Sequence, residues 1–150
     1  MTQVHLATLD PDPNVNGRGR DQLAAAGIAV YVGEGEEEAR GLNEAYIKHR
    51  TTGLPFVIAK FAASLDGRIA AASGQSRWIS GPQTRQWAHQ QRAAVDAILV
   101  GVNTILVDDP QLTARPGGQE AERQPLRVVA DSRGRTPPTA RLLQGPGRAL

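Results

Sequence analysis

Ala97-Ile98-Leu99-Val100-Gly101-Val102-Asn103-Thr104-Ile105-Leu106-Val107-Asp108-Asp109-Pro110 is the stretch that decides the fold of this 150-residue chain. Residues 97–100 form a short continuous apolar run, which predicts a buried strand. Residues 104–107 predict a short helical turn, stopped at Asp109-Pro110 because the residue before proline is pushed out of the α region. Upstream, residues 80–94 predict a helix. Ser80 stands as its N-cap, Gln83 three residues later completes a capping box, and Pro82 suits the first turn. Downstream, residues 112–124 are loop-like, residues 126–130 predict another strand, and a Pro/Gly/Arg-rich stretch follows. Further back, residues 56–63 form a nearly continuous apolar run that predicts a strand covered on both faces. Asp66-Gly67 is a hairpin-type signal, with residues 69–72 as a short return strand. The alternation of strand and helix predicts an α/β sheet of mostly parallel strands.

The first third of the chain reads separately. Residues 4–8 predict a strand, and Asp10-Pro11-Asp12-Pro13-Asn14 is strong turn chemistry. Residues 20–26 predict a helix stopped by Gly27, and residues 28–32 a strand. Residues 36–50 predict one helix with Ala39, Leu42, Asn43, Tyr46 and Ile47 on a common face. Glu36, Glu37 and Glu38 in its first turn and Lys48 and Arg50 in its last suit the helix dipole. Thr51-Thr52-Gly53-Leu54-Pro55 is the internal boundary, dividing the chain into 1–52 and 53–150.

Composition narrows the function classes. Seventeen basic and fifteen acidic residues leave a charge of +2, too mild for an electrostatic nucleic-acid footprint. There is no cysteine, which removes disulfides, thiol catalysis and thiolate zinc sites and fits a cytoplasmic protein. Neither a secretory leader nor an apolar run of membrane-spanning length is present, so no membrane partner is expected. The three histidines, His5, His49 and His89, lack metal-ligand spacing. His49 and His89 read as helix-surface residues and His5 as packed on its strand.

The residues suited to chemistry gather at strand ends and in the loops after them, where ligands bind in open α/β sheets. The ends of strands near Ala62, Gly101 and Ala130 are expected to converge on one cleft. Trp78, a large ring in a polar loop, suits either stacking on a flat cofactor ring or a pocket wall. Arg92 and Arg115 suit a phosphate, which guanidinium grips in a bidentate manner, although an arginine on a helix is by default solvated. Asp108 serves equally as a helix terminator, and Asp66-Gly67 as a plain turn. Asn16-Gly17-Arg18-Gly19-Arg20 lacks the third glycine of a dinucleotide fingerprint and reads first as a tight turn into a helix. No residue is an obvious general acid or base, which suits hydride transfer, where the cofactor supplies the chemistry.

Three blocks together carry a resemblance: Lys60-Phe61-Ala62-Ala63-Ser64-Leu65-Asp66-Gly67-Arg68, then Gly74-Gln75-Ser76-Arg77-Trp78-Ile79, then Asp108-Asp109-Pro110-Gln111-Leu112-Thr113-Ala114-Arg115. In order and spacing they resemble the reductase domain of the bifunctional riboflavin-biosynthesis deaminase/reductases. The upstream Asp10-to-Gly19 arm, Ala26-Gly27-Ile28-Ala29-Val30 and Leu42-Asn43 resemble the last part of the deaminase domain of the same family. The resemblance implies a dihydrofolate-reductase-like fold for 53–150, in its N-terminal half, preceded by the tail of a cytidine-deaminase-like domain in 1–52. It implies NADPH as hydride donor and 5-amino-6-(5-phosphoribosylamino)uracil as substrate, whose ribosyl chain becomes ribityl. It implies cofactor contacts at Ala62, Trp78, Thr104, Asp108 and Ser132, and substrate contacts at Ser76, Arg92, Leu112 and Arg115. A homo-oligomer is compatible with it. Zinc is implied only in a deaminase part bearing His-Ala-Glu and Pro-Cys-x-x-Cys motifs, which these residues do not contain. The family's later acidic substrate contact and Gly-rich phosphate loop also have no counterpart here. A non-catalytic nucleotide-binding or scaffold fragment, and a stand-alone pyrimidine or pterin reductase, are the competing readings.

Overall fold

A computed structural model describes residues 2–150, which divide into two compact units, one up to Lys60 and one from Phe61 onward. In the first unit, β1 (Gln3–Leu6) and β2 (Ala29–Val32) pair in parallel, with Gln3 opposite Ala29 and Leu6 opposite Val32. Parallel pairing needs a crossover, and α1 (Arg18–Ala25) supplies it, packing on β2. The acidic turn before α1 closes on itself: the Asp12 amide donates to Asp10 Oδ1 (2.8 Å) and the Asn14 amide to Asp12 Oδ1 (2.9 Å).

The single helix expected over 36–50 is two helices, α2 (Glu36–Leu42) and α3 (Glu44–Thr52), broken at Asn43. The Asn43 side-chain amide donates to the Ala39 carbonyl at 2.8 Å and competes with the helical ladder. α3 is tied to the acidic turn through Tyr46, whose hydroxyl donates to Asp10 Oδ1 (2.9 Å), and through an Arg50–Asp12 ion pair with Asp12 buried. The hydrogen bond from the Asn14 amide, more than any other influence, holds the Asp12 carboxyl below its ordinary range, and the Arg50 guanidinium adds to it against the effect of burial. His5 is exposed rather than packed; it stacks on Tyr31 and lies 2.7 Å from Glu34.

In the second unit, α4 (Pro82–Ala94) leads into β3 (Ala97–Gly101), α5 (Val102–Asp108), a 3-10 turn at Pro116–Gly118, β4 (Leu126–Ala130) and α6 (Arg141–Gln144). β3 and β4 are parallel, with Ala97 opposite Leu126 and Gly101 opposite Ala130. On the other side of β4 the chain end adds a short parallel bridge, Arg127 opposite Ala149. The core of Ile105, Leu112, Ala140 and Leu142 lies against Ile98, Val100 and Val129 of this pair.

Three local expectations are corrected. No strand forms over 56–63 or 69–72: Val57, Ile58 and Phe61 are exposed, and an apolar run becomes a strand only where a neighbouring strand takes its backbone groups. The Asp66-Gly67 turn does close, since the Ser64 amide donates to Arg68 O and the Gly67 amide to Ser64 O, both at 2.9 Å. The N-cap of α4 is Gly81, not Ser80, and no side chain caps it. Arg85 uses the Ser80 carbonyl instead, donating from Nη1 at 2.7 Å.

Candidate functional site

The carboxyl ends of β3 and β4 are the geometric origin of the site. Gly101 and Ala130 lie opposite each other as the last pair of the ladder. From that edge α5 starts at once, and the turn carrying Ser132 leaves β4 two residues later. Arg135 of that turn donates to Asn103 Oδ1 at 3.2 Å, so the start of α5 and the Ser132 turn are joined. Thr104 and Asp108 are four residues apart on α5 and therefore share a face.

The loop bearing Ser76 and Trp78 is fastened to the far end of α5. Arg77 Nη2 donates to the Asp108 carbonyl at 2.8 Å and lies 3.8 Å from the Asp108 carboxylate. Trp78 follows directly and is 71% exposed, which leaves aromatic area free for a ligand. The Arg85 guanidinium lies over the indole 4.4 Å from its centroid. Ser76, one residue before Arg77, is half-buried. Ala62 is not joined to this group by any strand, because none runs through it.

Arg92 and Arg115 come together from different elements. Arg92, on α4, donates from Nη1 to the Thr113 carbonyl at 3.4 Å. Arg115 donates from its backbone N–H to His89 Nδ1 at 3.1 Å, and its guanidinium reaches Gln111 Oε1. Burial lowers the pKa of Arg92 and the nearby Arg115 charge lowers it further, so the two guanidiniums repel in a half-buried setting. Among the described residues neither makes an ion pair with a carboxylate. Leu112 is 5% exposed at φ 56, a backbone region that side chains rarely occupy, so it serves the core as well as the loop. Gln124 holds this loop from the other side. Its Oε1 accepts from the Ala114 amide (2.8 Å) and its Nε2 donates to the Ala114 carbonyl (3.0 Å).

Sequence reasoning passed over His89 and Arg85. The signal was their spacing: Arg85, His89 and Arg92 stand at i, i+4 and i+7, one half-buried helix face made of basic side chains. The surface reading of His89 is thereby corrected. Two concavities lie elsewhere, one near Asp10, Arg40 and Ile47 and one near Asp96, Gln124 and Arg148, and neither contains an expected site residue. The structure ties the Trp78 loop to Asp108 and brings Arg92 to Arg115, which gives an exposed aromatic ring and, separately, a pair of cations without carboxylate partners among the described residues. That donor set fits a phosphorylated nucleotide and a sugar phosphate.

The Asp131 turn at this edge offers a direct check. The Arg135 backbone N–H, first, and then the Thr136 hydroxyl and amide and the Arg133 amide lower its pKa from 3.8 to about 2. The folded value lies below the unfolded one, so the stability this turn contributes is full above about pH 4 and is lost as pH falls through about 2. Carboxyl-carbon NMR titration should give about 2 for Asp131; a value near 3.8 in the folded protein would mean that the turn is open.

Comparison with known proteins adds the lineage. The family described as the RibD C-terminal domain matches residues 55–149. The riboflavin biosynthesis protein RibD of Chlamydia muridarum is 50% identical over 143 residues, covering 95% of this chain and 38% of that protein. The Escherichia coli RibD is 44% identical over 148 residues, covering 92% and 40%. A Thermotoga maritima diaminohydroxyphosphoribosylaminopyrimidine deaminase/5-amino-6-(5-phosphoribosylamino)uracil reductase structure matches with a TM-score of 0.88 at 37% identity, covering 99% and 42%. An Acinetobacter baumannii RibD structure matches with a TM-score of 0.86 at 42% identity, covering 99% and 42%. The chain spans about two fifths of the length of the relatives it matches. No helix among the described residues is long and apolar enough to cross a membrane.

Proposed function

Since the chain belongs to the RibD C-terminal domain family, we propose that it carries part of the site of an NADPH-dependent reductase of riboflavin biosynthesis. The substrate is 5-amino-6-(5-phosphoribosylamino)uracil, and the reaction turns its ribosyl chain into a ribityl chain. The observation that carries this reading is the uncompensated Arg92–Arg115 pair, a phosphate grip; Arg92 stands on the same helix as Arg85, which lies over the exposed Trp78 ring. The activity is assigned to the protein of full family length. Residues 53–150 form the N-terminal part of its reductase domain, and residues 1–52 the end of a deaminase-like domain. The family match from residue 55 and the compact unit from Phe61 support the division, as does the deaminase/reductase pairing in the Thermotoga relative. The protein acts on a small molecule and needs no nucleic acid or membrane; its place is the cytoplasm.

Bound NADPH supplies the hydride. The chain binds and orients. Trp78 would present its ring to the cofactor, Thr104 and Ser132 would meet it from the strand edge, Asp108 from the far end of α5, and Ala62 would belong to the cofactor side. Arg92 and Arg115 neutralise the substrate phosphate, with Ser76 and Leu112 shaping the space between. Zinc is assigned only to a deaminase part outside these residues.

The deciding measurement is NADPH oxidation with the phosphoribosylamino-uracil, by the full-length protein and by this 150-residue chain side by side. Turnover by the full-length protein is expected; none would end the proposal. Trp78→Ala should weaken NADPH binding about tenfold, the loss expected of one stacking contact. Unchanged cofactor affinity, followed by fluorescence titration, would remove Trp78 from the site.

A further inference from the structure

We propose that His89 is a positioning residue: through the lone pair of Nδ1 it holds the loop that carries Arg115, and so keeps the two arginines in register for phosphate. This rests on the reading of Arg92 and Arg115 as the substrate-phosphate grip. The 112–115 loop has no strand or helix to define it, yet Leu112, Thr113 and Ala114 are buried and Leu112 sits at φ 56. Three side chains hold it: Gln124 at Ala114, Arg92 at the Thr113 carbonyl, and His89 at the Arg115 amide. Of these, His89 alone fixes the backbone of the residue whose guanidinium is in question.

The bond also defines the state of the ring. An N–H pointing at Nδ1 from 3.1 Å requires a lone pair there, so the proton of the neutral imidazole is on Nε2. The charges that bear on His89 are Arg92, from its own helix, and Arg115, from the facing loop. The 3-10 turn that packs on α4 is Pro116-Gly117-Gly118 and brings no charge, and Gln111 beside Arg115 is neutral. Burial holds the imidazole pKa below 6.5; the Arg92 and Arg115 charges act in the same sense, and only the Thr113 carbonyl opposes them. Protonation would set N–H against N–H and add a third cation to a pair that already repels. The folded ring favours the neutral form, so the loop is secure above about pH 6.5 and released as pH falls below it.

The test uses the full-length protein with His89→Asn, whose Oδ1 takes the place of Nδ1 without titrating, and His89→Leu, which offers no acceptor. At about pH 8 the Asn variant should keep the KM for the phosphorylated substrate within about twofold, whereas the Leu variant should raise it roughly tenfold with kcat little changed. Toward about pH 5.5 the KM of the unmodified protein should rise beyond that of the Asn variant, whose remaining pH dependence is the substrate phosphate's own, with a second pKa near 6. Imidazole nitrogen NMR should show the Nε2–H form at neutral pH, whether or not the protein turns over. An Asn variant as weak as Leu, a KM that falls with acid, or an Nδ1–H ring overturns the proposal. Loss of the Arg92 and Arg115 effects on KM would instead overturn the phosphate grip itself, and this inference with it.

Discussion

Arg92→Leu and Arg115→Leu, made singly in the full-length protein, should each raise the KM for the phosphorylated substrate by roughly tenfold to a hundredfold. Each guanidinium contributes charge-assisted hydrogen bonds of about 1.5–3 kcal/mol to a phosphate, and about 1.4 kcal/mol is a factor of ten. The pair is half-buried and finds no carboxylate among the described residues, so on the proposed reading a bound phosphate would relieve a repulsion that the free protein carries. The Leu substitutions remove this relief together with the contact. Lysine is a poor substitute, because a point charge cannot reproduce the fork that holds a phosphate. The two losses should not add, since the side chains act on each other and on one ligand. The control is the same substrate without its phosphate, whose KM should change by less than about twofold in either variant. Equal losses for both substrates would show that the arginines hold the loop and not the ligand.

Arg127→Leu should cost about 3 kcal/mol or more of stability, the largest structural effect expected of a single side chain here. Arg127, the second residue of β4, is 1% exposed. Its guanidinium donates to four carbonyls, those of Gly147 (3.0 Å), Gly145 (3.2 Å), Arg148 (3.4 Å) and Gln111 (3.5 Å). Burial lowers its pKa, yet an arginine stays charged, so the cation is held by carbonyl dipoles and not by a carboxylate. Leucine would fill part of the volume and leave the Gly145, Gly147 and Gln111 carbonyls without this donor, while the Arg148 carbonyl would keep the Arg127 backbone N–H at 3.0 Å. For a unit of this size such a loss lowers Tm by roughly 12–24 °C. Arg127→Lys should fall between, because one ammonium cannot reach all four acceptors. The check is the calorimetric transition of this unit; a leucine variant within about 0.5 kcal/mol of the unmodified protein would mean that water already serves those carbonyls. Gly145 and Gly147 belong to the same arrangement. A Cβ on Gly145 would meet the Arg127 guanidinium at 3.0 Å, and one on Gly147 would meet the Gln124 side chain at 2.9 Å.

Residue type and order marked the Trp78 loop, the strand end at Gly101 and the arginines at 92 and 115 as candidates, whereas the family resemblance alone singled out Thr104, Asp108 and Ser132 and raised Arg92 above a solvated helix arginine. His89 was not legible as a site residue, because its role depends on an amide 26 positions away. Arg127 was equally silent, since a charged residue in a strand reads as a solvent face until a chain end folds over it.

What the sequence by itself determined are the elements whose hydrogen bonds close within a few residues or with the nearest strand: the acidic turn at Asp10–Asn14, α1, α4, α5, and the parallel β3–β4 pair. Short-range propensity and periodicity settle these, because the partners lie close along the chain or follow from alternation. Only the tertiary structure decided the absence of a strand over 56–63, the burial of Arg127 and the meeting of Arg92 with Arg115. The physical reason is common to all three. A polar group or an apolar run settles by what it can bond to or pack on, and those partners are supplied by packing that a linear pattern does not display.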